Sequence, residues 1–435
     1  MDQERARLAR TDRAALSTSE ARRAVEAVWR IDSARIVGAL TRYTGDFSLA
    51  EDLAQEALAE ALVSWSVNGL PAEPTGWLLT AGRRRAIDAF RRRAARDERY
   101  SLLARDLDDA LPGVDALFNP DAIDDDVLAL MFISCHPVLS RESRIALTLK
   151  VVGGLTTDQI AKAFFVPVPT IQARITRAKK ALAAAEVRFA VPEGQELAER
   201  LGSVLQVVYL IFTEGSYAST GDEWMRRDLA SEALRLARIL SRLEPEPEVF
   251  GLVALMELTA ARFPARLDAH NVPVLLEHQD RRLWDQSAIR RGRAALAHAT
   301  AAGAQRGLGA YSLQASIAEC HAVARSVAET DWPRIVVLYE ALCTLTPSPV
   351  VELARAVAVA MASGPADGLV LVEAIAASGA LAGSQMLPAI RGELLSRLGR
   401  RDEARAAFRN AIDLCGNDVE RADLERKLEV VSRPE

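Results

Sequence analysis

Apolar residues along this chain recur at spacings of three and four, and clear runs of alternating apolar and polar residues are missing. That pattern predicts an all-α protein. The stretch 153–180, GGLTTDQIAKAFFVPVPTIQARITRAKK, reads as two short helices joined by a tight turn. The first runs through Thr157–Ala163, with Thr156 and Gln159 at capping-box spacing. The second opens at Pro169, a residue tolerated in a first helical turn but not in a helix interior. Its apolar positions Ile171, Ile175, Ala178 and Leu182 form one stripe, and Thr170, Gln172, Arg174, Arg177 and Lys179 lie off it. This is the layout of a helix-turn-helix whose second helix enters a major groove. An ordinary helical hairpin with a solvated basic face fits the same pattern.

Upstream, residues 1–20 are charged and poorly patterned and read as a tail. A helix follows over 21–43, with Val25, Val28, Trp29, Ile36, Val37 and Leu40 on its apolar face. The next amphipathic helix, 49–62, turns Leu53, Ala57, Leu58, Ala61 and Leu62 inward and carries Asp52, Glu56 and Glu60 in one acidic stripe. Like charges at that spacing cost a helix a few tenths of a kcal/mol per pair. The stripe is either a solvated face or a docking surface for a positively charged partner. Residues 66–76 hold two Gly and two Pro and read as a loop. From Trp77 the chain returns to helix as far as Arg93, with arginines at 83–85 and 91–93, a density suited to phosphates. Trp77 either plugs the core at this junction or stacks on an unpaired base. Residues 94–126 are rich in Asp, are interrupted by Pro112 and Pro120, and read as an acidic linker; helices resume at 127–135 and 141–152.

Composition changes the picture in three ways. At 435 residues the chain is too long for one domain. Its net charge of −5 conceals clustered basic residues. Its four cysteines, Cys135, Cys320, Cys343 and Cys415, form no CxxC pair, so neither disulfides nor a cysteine zinc site is expected. The N-terminus lacks the apolar segment of a signal peptide, and no apolar run approaches the ~20 residues of a membrane span. A soluble cytoplasmic protein is the expectation.

Residues 190–435 need a separate account. Aligning apolar triplets gives Ile335, Tyr339, Leu342, then Val370, Ala374, Ala377, then Ala404, Phe408, Ala411, at steps of 35 and 34 residues. That is the tetratricopeptide period. Ala233, Ala237, Leu240 and Pro245 share the internal spacing, but the region between fits poorly. The expectation is an irregular α-solenoid with at most three repeats, serving either as a scaffold or as a concave binding surface.

Taken together, the blocks VWRIDSARIVGAL, GDFSLAEDLAQEALAEAL, PTGWLLTAGRRRAIDAFRR and CHPVLSRESRIALTLKVVGGLTTDQIAKAFFVPVPTIQARITRAKKAL resemble, in order and spacing, a sigma factor of the extracytoplasmic-function type in the sigma-70 family. The resemblance covers residues from about 24 to 186. It extends to a subgroup with a C-terminal tetratricopeptide-like extension, through YLIFTEGSY at 209–217, DRRLWD at 280–285, YSLQ at 311–314, TDW at 330–332 and PSPVV at 347–351. Thr213 and Ser216 depart from the Asn-Glu-Gly-Tyr expected there, as does Ala354 from an expected Asn.

The resemblance implies a region 2-like domain at 21–93, the acidic linker at 94–126, a region 4-like helix-turn-helix domain at 127–188 and a helical regulatory or supporting domain at 189–435. It implies that Asp52, Glu56 and Glu60 dock on the β′ clamp helices of core RNA polymerase, with the β flap as a second contact. Residues 66–76 would hold a flipped minus-10 base, and Trp77, Arg84, Arg85, Arg91 and Arg92 would face the melted strand. Thr170, Gln172 and Arg174 would face minus-35 bases, Ala173 a thymine methyl, and Arg177 and Lys179 phosphates. Gln suits adenine and Arg guanine, whereas phosphate contacts carry register only. In the C-terminal domain Tyr209, Glu214, Tyr217, Asp280, Arg281, Trp284, Tyr311, Gln314, His321 and Trp332 either converge on a pocket for an unidentified ligand or protein or are structural.

Two other classes compete. An enzyme would need a phosphate loop, an HExxH or a nucleophile elbow; none occurs, and the five scattered histidines suggest neither metal nor cofactor. A helix-turn-helix repressor or activator with a sensor domain explains 153–180 and the solenoid but leaves the acidic helix and the arginine helix unexplained.

Overall fold

The structure, a computed structural model, describes residues 17–94, 120–164, 166–216, 225–268, 274, 276–416 and 418–433. Among these the chain is helical, with no extended strand. It divides into two compact units, residues 1–211 and 212–435. The tail through residue 16 and the linker over 95–119 lie outside the described residues.

The first unit begins with α1 (Thr18–Thr44), α2 (Phe47–Asn68) and α3 (Pro74–Ala94). Ser17 and Glu20 make a capping box at the start of α1, and Gly45, at φ 67°, ends it in the left-handed conformation that costs glycine least. Trp29, Ile36 and Leu40 of α1 pack with Leu53, Ala57 and Trp65 of α2 and Leu78, Leu79 and Phe90 of α3. Leu62 does not join this core: it is 39% exposed, and its place on the inner face is taken by Trp65.

Next come α4 (Pro120–Ser134), α5 (Arg141–Val151), α6 (Thr157–Ala163) and α7 (Val168–Ala184). Helix α4 starts at Pro120, so the last seven residues assigned to the linker are helical. Proline breaks a helix interior but fits a first turn, where its missing N–H has no partner to lose. Every residue from Val127 to Ile133 is buried, because α1 and α5 pack on α4, and the following helix, α8 (Gly194–Ser216), reaches it through Arg200. Arg200 of α8 donates to the Phe132 carbonyl and lies 5.7 Å from that ring's centroid. Ser203 donates to the Cys135 carbonyl at 2.7 Å and accepts from Arg144 at 2.9 Å.

In the second unit, α9 (Arg227–Leu243), α11 (Gln286–Ala302) and α12 (Ala310–Val323) pack on α10 (Pro247–Ala260). Helix α10 is apolar nearly all round, and its two carboxylates have built-in partners. Glu248 accepts from Tyr311 N, Ser312 N and Ser312 Oγ at 2.7–3.0 Å, capping α12. Glu257 is buried between Arg238 and Arg291. Helices α13 (Trp332–Leu345), α14 (Pro349–Ser363), α15 (Pro365–Ala377), α16 (Met386–Arg397), α17 (Arg401–Leu414) and α18 (Asp418–Ser432) follow, each packed on the next. Phe408 is buried against Gly392, where an added Cβ would lie 2.9 Å from its ring.

The triplet expected in α15 is one residue out of register. Val370 is 67% exposed and Ala374 and Ala377 are also exposed, while Leu369 and Val372 are buried. Each helical residue turns about 100°, so one step moves the stripe off the neighbouring helix. The inward positions become Ile335, Leu369 and Ala404, at steps of 34 and 35 residues.

Candidate nucleic-acid interface

Helices α6 and α7 form the turn that the sequence predicts. Thr156 Oγ1 accepts from Gln159 N at 3.1 Å, and the Gln159 side chain accepts from Thr156 N at 2.9 Å. Ile171, Ile175, Ala178 and Leu182 are buried in α7. Its outward stripe is Pro169, Gln172, Ala173, Thr176, Arg177 and Lys180, each exposed. Thr170 and Arg174 flank it, half-buried, and the Arg174 carbonyl accepts from Ser143 Oγ. Thr176 and Lys180 are additions to the expected set, recoverable from the helical period as the fourth residues after Gln172 and Thr176.

Lys179 sits on a flank of that stripe and turns toward α2. Its Nζ donates to Glu51 Oε2 at 2.5 Å and Asp52 Oδ1 at 3.1 Å. The Lys179 side chain is 15% exposed and that of Glu51 7%. Burial opposes the lysine's charge, but the Glu51 carboxylate and both hydrogen bonds outweigh it, and its pKa stands above the ordinary lysine value. Lys150 of α5 lies in the same field and is pushed down by burial, with Lys179 adding repulsion and Glu51 opposing. Glu51, unremarkable in the sequence, is thus the buried anion of the cluster.

The acidic stripe of α2 is also engaged by α3. Arg85 donates to Glu56 Oε2 at 2.8 Å and to Glu60 Oε2 at 3.0 Å, leaving both carboxylates partly open to solvent. Arg84, Arg91 and Arg92 are exposed, with Asp88 among them on the same face, and Arg83 lies 5.8 Å from the Tyr43 ring. Trp77 packs edge-on against the buried Trp65, centroids 5.7 Å apart, and is itself half-buried.

A three-helix unit carrying outward arginines is therefore followed by a helix-turn-helix with a polar outward stripe. The family description Sigma-70 region 2 matches residues 32–96, and Sigma-70, region 4 matches 129–182. The chain belongs to the sigma-70 family, in its extracytoplasmic-function branch. A probable ECF RNA polymerase sigma factor of Mycobacterium tuberculosis, SigI, is 28% identical over 173 residues, 39% of this chain and 58% of that one. A protein of Rhizobium meliloti (strain 1021) described as uncharacterized is 43% identical over 395 residues, 90% of this chain and 92% of its own length. A family of unknown function, DUF6596, matches residues 200–300, beyond the sigma core. No solved structure matches the chain.

Beyond the sigma core, four of the ten candidate C-terminal residues come together. Arg281 donates to the His321 and Ala324 carbonyls at 2.6 and 2.7 Å, closing the end of α12, and its guanidinium lies 4.8 Å from the Trp284 centroid. His321 meets Trp332 edge-on at 5.3 Å, and its pKa is pushed down to about 4 by burial and by Arg262 and Arg281. The others have different settings. Glu214 pairs with Arg226, Asp280 caps its own turn and holds Arg282, and Gln314 donates to the Ala310 carbonyl. Tyr311 stands where Glu248 caps α12, Tyr209 belongs to the first unit, and Tyr217 lies outside the described residues. Ser216, one of the departures from the subgroup, donates to the Phe212 carbonyl, and its own carbonyl accepts from Arg266. A separate groove of about 440 Å³ is lined by Asp268, His278, Glu393, Asp423, Arg426 and Lys427 among others. Among the described residues no three His, Cys, Asp or Glu side chains are grouped to hold a metal, and no helix is long and apolar enough to cross a membrane.

Proposed function

We propose that this sigma factor binds core RNA polymerase and directs it to promoters, reading minus-10 with α1–α3 and minus-35 with α7. The observation that carries the reading is the outward stripe of α7, where Gln172, Ala173, Thr176, Arg177 and Lys180 project from a helix whose buried stripe anchors it. Such a stripe supplies base-edge partners at its centre and phosphate partners on its flanks. Arg84, Arg91 and Arg92 supply the charge for a melted strand, and Asp52, Glu56 and Glu60 form the docking stripe for the β′ clamp, with the β flap a further contact. The cytoplasm, where polymerase works, is the corresponding site of action. The helix pairs α12–α13, α14–α15 and α16–α17, each with its inward position in the second helix, are read as at most three tetratricopeptide-like repeats on the corrected register, in a domain that regulates or supports the sigma core.

The test is reconstitution with core RNA polymerase and a library of promoter fragments. Promoter-specific initiation that depends on added protein supports the reading. Sequence-specific duplex binding by the protein alone, with no initiation, overturns it in favour of a repressor or activator.

A further inference from the structure

Around the end of α12, in the second unit, buried hydrogen-bond donors outnumber their acceptors. Arg281 commits Nη1 to the His321 and Ala324 carbonyls at 2.6 and 2.7 Å, clasping its own turn to the end of that helix. Its Nη2 is sealed from water and has no partner. Trp284, only 3% exposed, has this guanidinium 4.8 Å from its ring centroid and that of Arg262 at 5.7 Å. The indole Nε1 of Trp284 is likewise sealed and unpartnered, and so is Nδ1 of His321. The neighbouring indole differs: Trp332, edge-on to His321, donates to the Val327 carbonyl at 3.0 Å. Charge is one-sided as well. The carboxylate that acts on Arg281 is that of Glu329, exposed and not hydrogen-bonded to it. Burial and the two arginines keep the His321 imidazole neutral, with its pKa pushed down to about 4.

A guanidinium edge and an indole N–H, with a neutral imidazole beside them, make a donor set for an oxyanion. Leaving such donors buried and bare is costly, and one carboxylate answers both the hydrogen bonds and the charge. Apolar surface adjoins them. Leu283 lies in sequence between Arg281 and Trp284, Val323 lies between the two carbonyls that Arg281 holds, and each is about half exposed. We propose that the second unit binds a small organic acid here, its carboxylate taken by Arg281 Nη2 and Trp284 Nε1 and its apolar body by Leu283 and Val323. Inorganic phosphate, with no apolar part, forgoes half of the site. Because the donors are sealed from water, the acid enters where the clasp loosens. Its charge-assisted bonds to the guanidinium are stronger than those of the two neutral carbonyls they compete with. The site lies wholly in the second unit and does not depend on the promoter reading.

The experiment follows the indole N–H signals of the six tryptophans in the full-length protein by NMR, with the Trp284 signal identified from Trp284→Phe. The protein is titrated with benzoate, octanoate, benzamide and inorganic phosphate. Benzoate or octanoate should move the Trp284 signal saturably, with a Kd below about 1 mM. Benzamide should leave it in place, and phosphate should bind at least tenfold more weakly. Trp284→Phe keeps a ring beside both guanidinium groups but removes the N–H, and should weaken binding about three- to tenfold by calorimetry. Arg281→Lys, which loses the planar fork, should weaken it at least tenfold. Arg282→Gln, at the exposed neighbouring arginine, should leave it unchanged. If Arg281→Lys fails to melt cooperatively, the titration and Trp284→Phe decide by themselves. A Trp284 signal that stays still up to about 10 mM of either acid, or moves equally with benzamide, would overturn the site. Undiminished binding by Trp284→Phe, or equal weakening by Arg282→Gln and Arg281→Lys, would overturn it too. Phosphate binding as tightly as benzoate would overturn the organic acid as the ligand class.

Discussion

Helices α3 and α7 are the two basic helices of the sigma core, and each directs one cation onto the acidic face of α2. Arg85 of α3 does so within its own domain, across a pair of carboxylates that stay partly open to water. Lys179 of α7 does so across a domain boundary, onto a carboxylate withdrawn from water. The chemistry is nearly the same, and the consequence differs with burial. A solvated pair is screened and contributes little, whereas removing one partner of a buried pair leaves a charge with nothing to compensate it.

The largest expected effect concerns the cations that α7 keeps beside Lys179: Arg177 on the outward stripe and Arg174 on its flank. Arg174→Ala with Arg177→Ala should lower promoter-specific transcription by about 30-fold or more, since two arginine contacts of ~1–3 kcal/mol each are lost, while the melting temperature holds. Run-off transcription and calorimetry check this, and a tenfold loss or less would mean that α7 is not the reader. Second, Lys179→Ala should cost roughly 1–3 kcal/mol in denaturant unfolding of the first unit, and Arg85→Ala less than about 1 kcal/mol. The reverse order would break the contrast between the two helices. Third, Lys180→Ala should weaken every promoter by a similar few-fold factor and lower the salt slope by about one. A promoter-selective change would instead place Lys180 at a base edge.

The smallest effect is in pH. Because the folded pKa of Lys179 is raised, its contribution is fully present below the ordinary lysine value of about 10.4 and is lost only as pH climbs through the raised one. The groups in that field are Glu51 and Asp52 of α2, Lys150 of α5 and Asp158 of α6. The cost of Lys179→Ala in denaturant unfolding of the first unit should therefore stay unchanged from pH 7 to 9 and shrink only beyond the ordinary lysine range. A cost that already shrinks near pH 8 would show that Lys179 is not the cation paired with Glu51.

Legibility in the sequence followed the range of the interaction. Caps and turns involve residues three or four apart, so Thr156 with Gln159 and the stripe Ile171, Ile175, Ala178 and Leu182 could be read directly. The period also exposes Thr176 and Lys180, once the whole outward face rather than its charges alone is followed. Leu62 and Val370 were harder, because an apolar residue on the edge of a stripe is buried only if a neighbouring helix reaches it. Pro120 misled for a local reason: the same residue ends a helix or begins one, depending on which side the helix lies.

By itself the sequence determined the all-helical class, the helix-turn-helix with its caps and buried stripe, and the acidic and arginine-rich helices, since each depends on periodicity and composition within one segment. Only the tertiary structure decided which charges are free to meet a partner. Glu51 and Lys179 are 128 residues apart in the chain and 2.5 Å apart in space. Nothing in either segment signals the other, because an ion pair between domains is set by how their surfaces pack and by the water that packing removes.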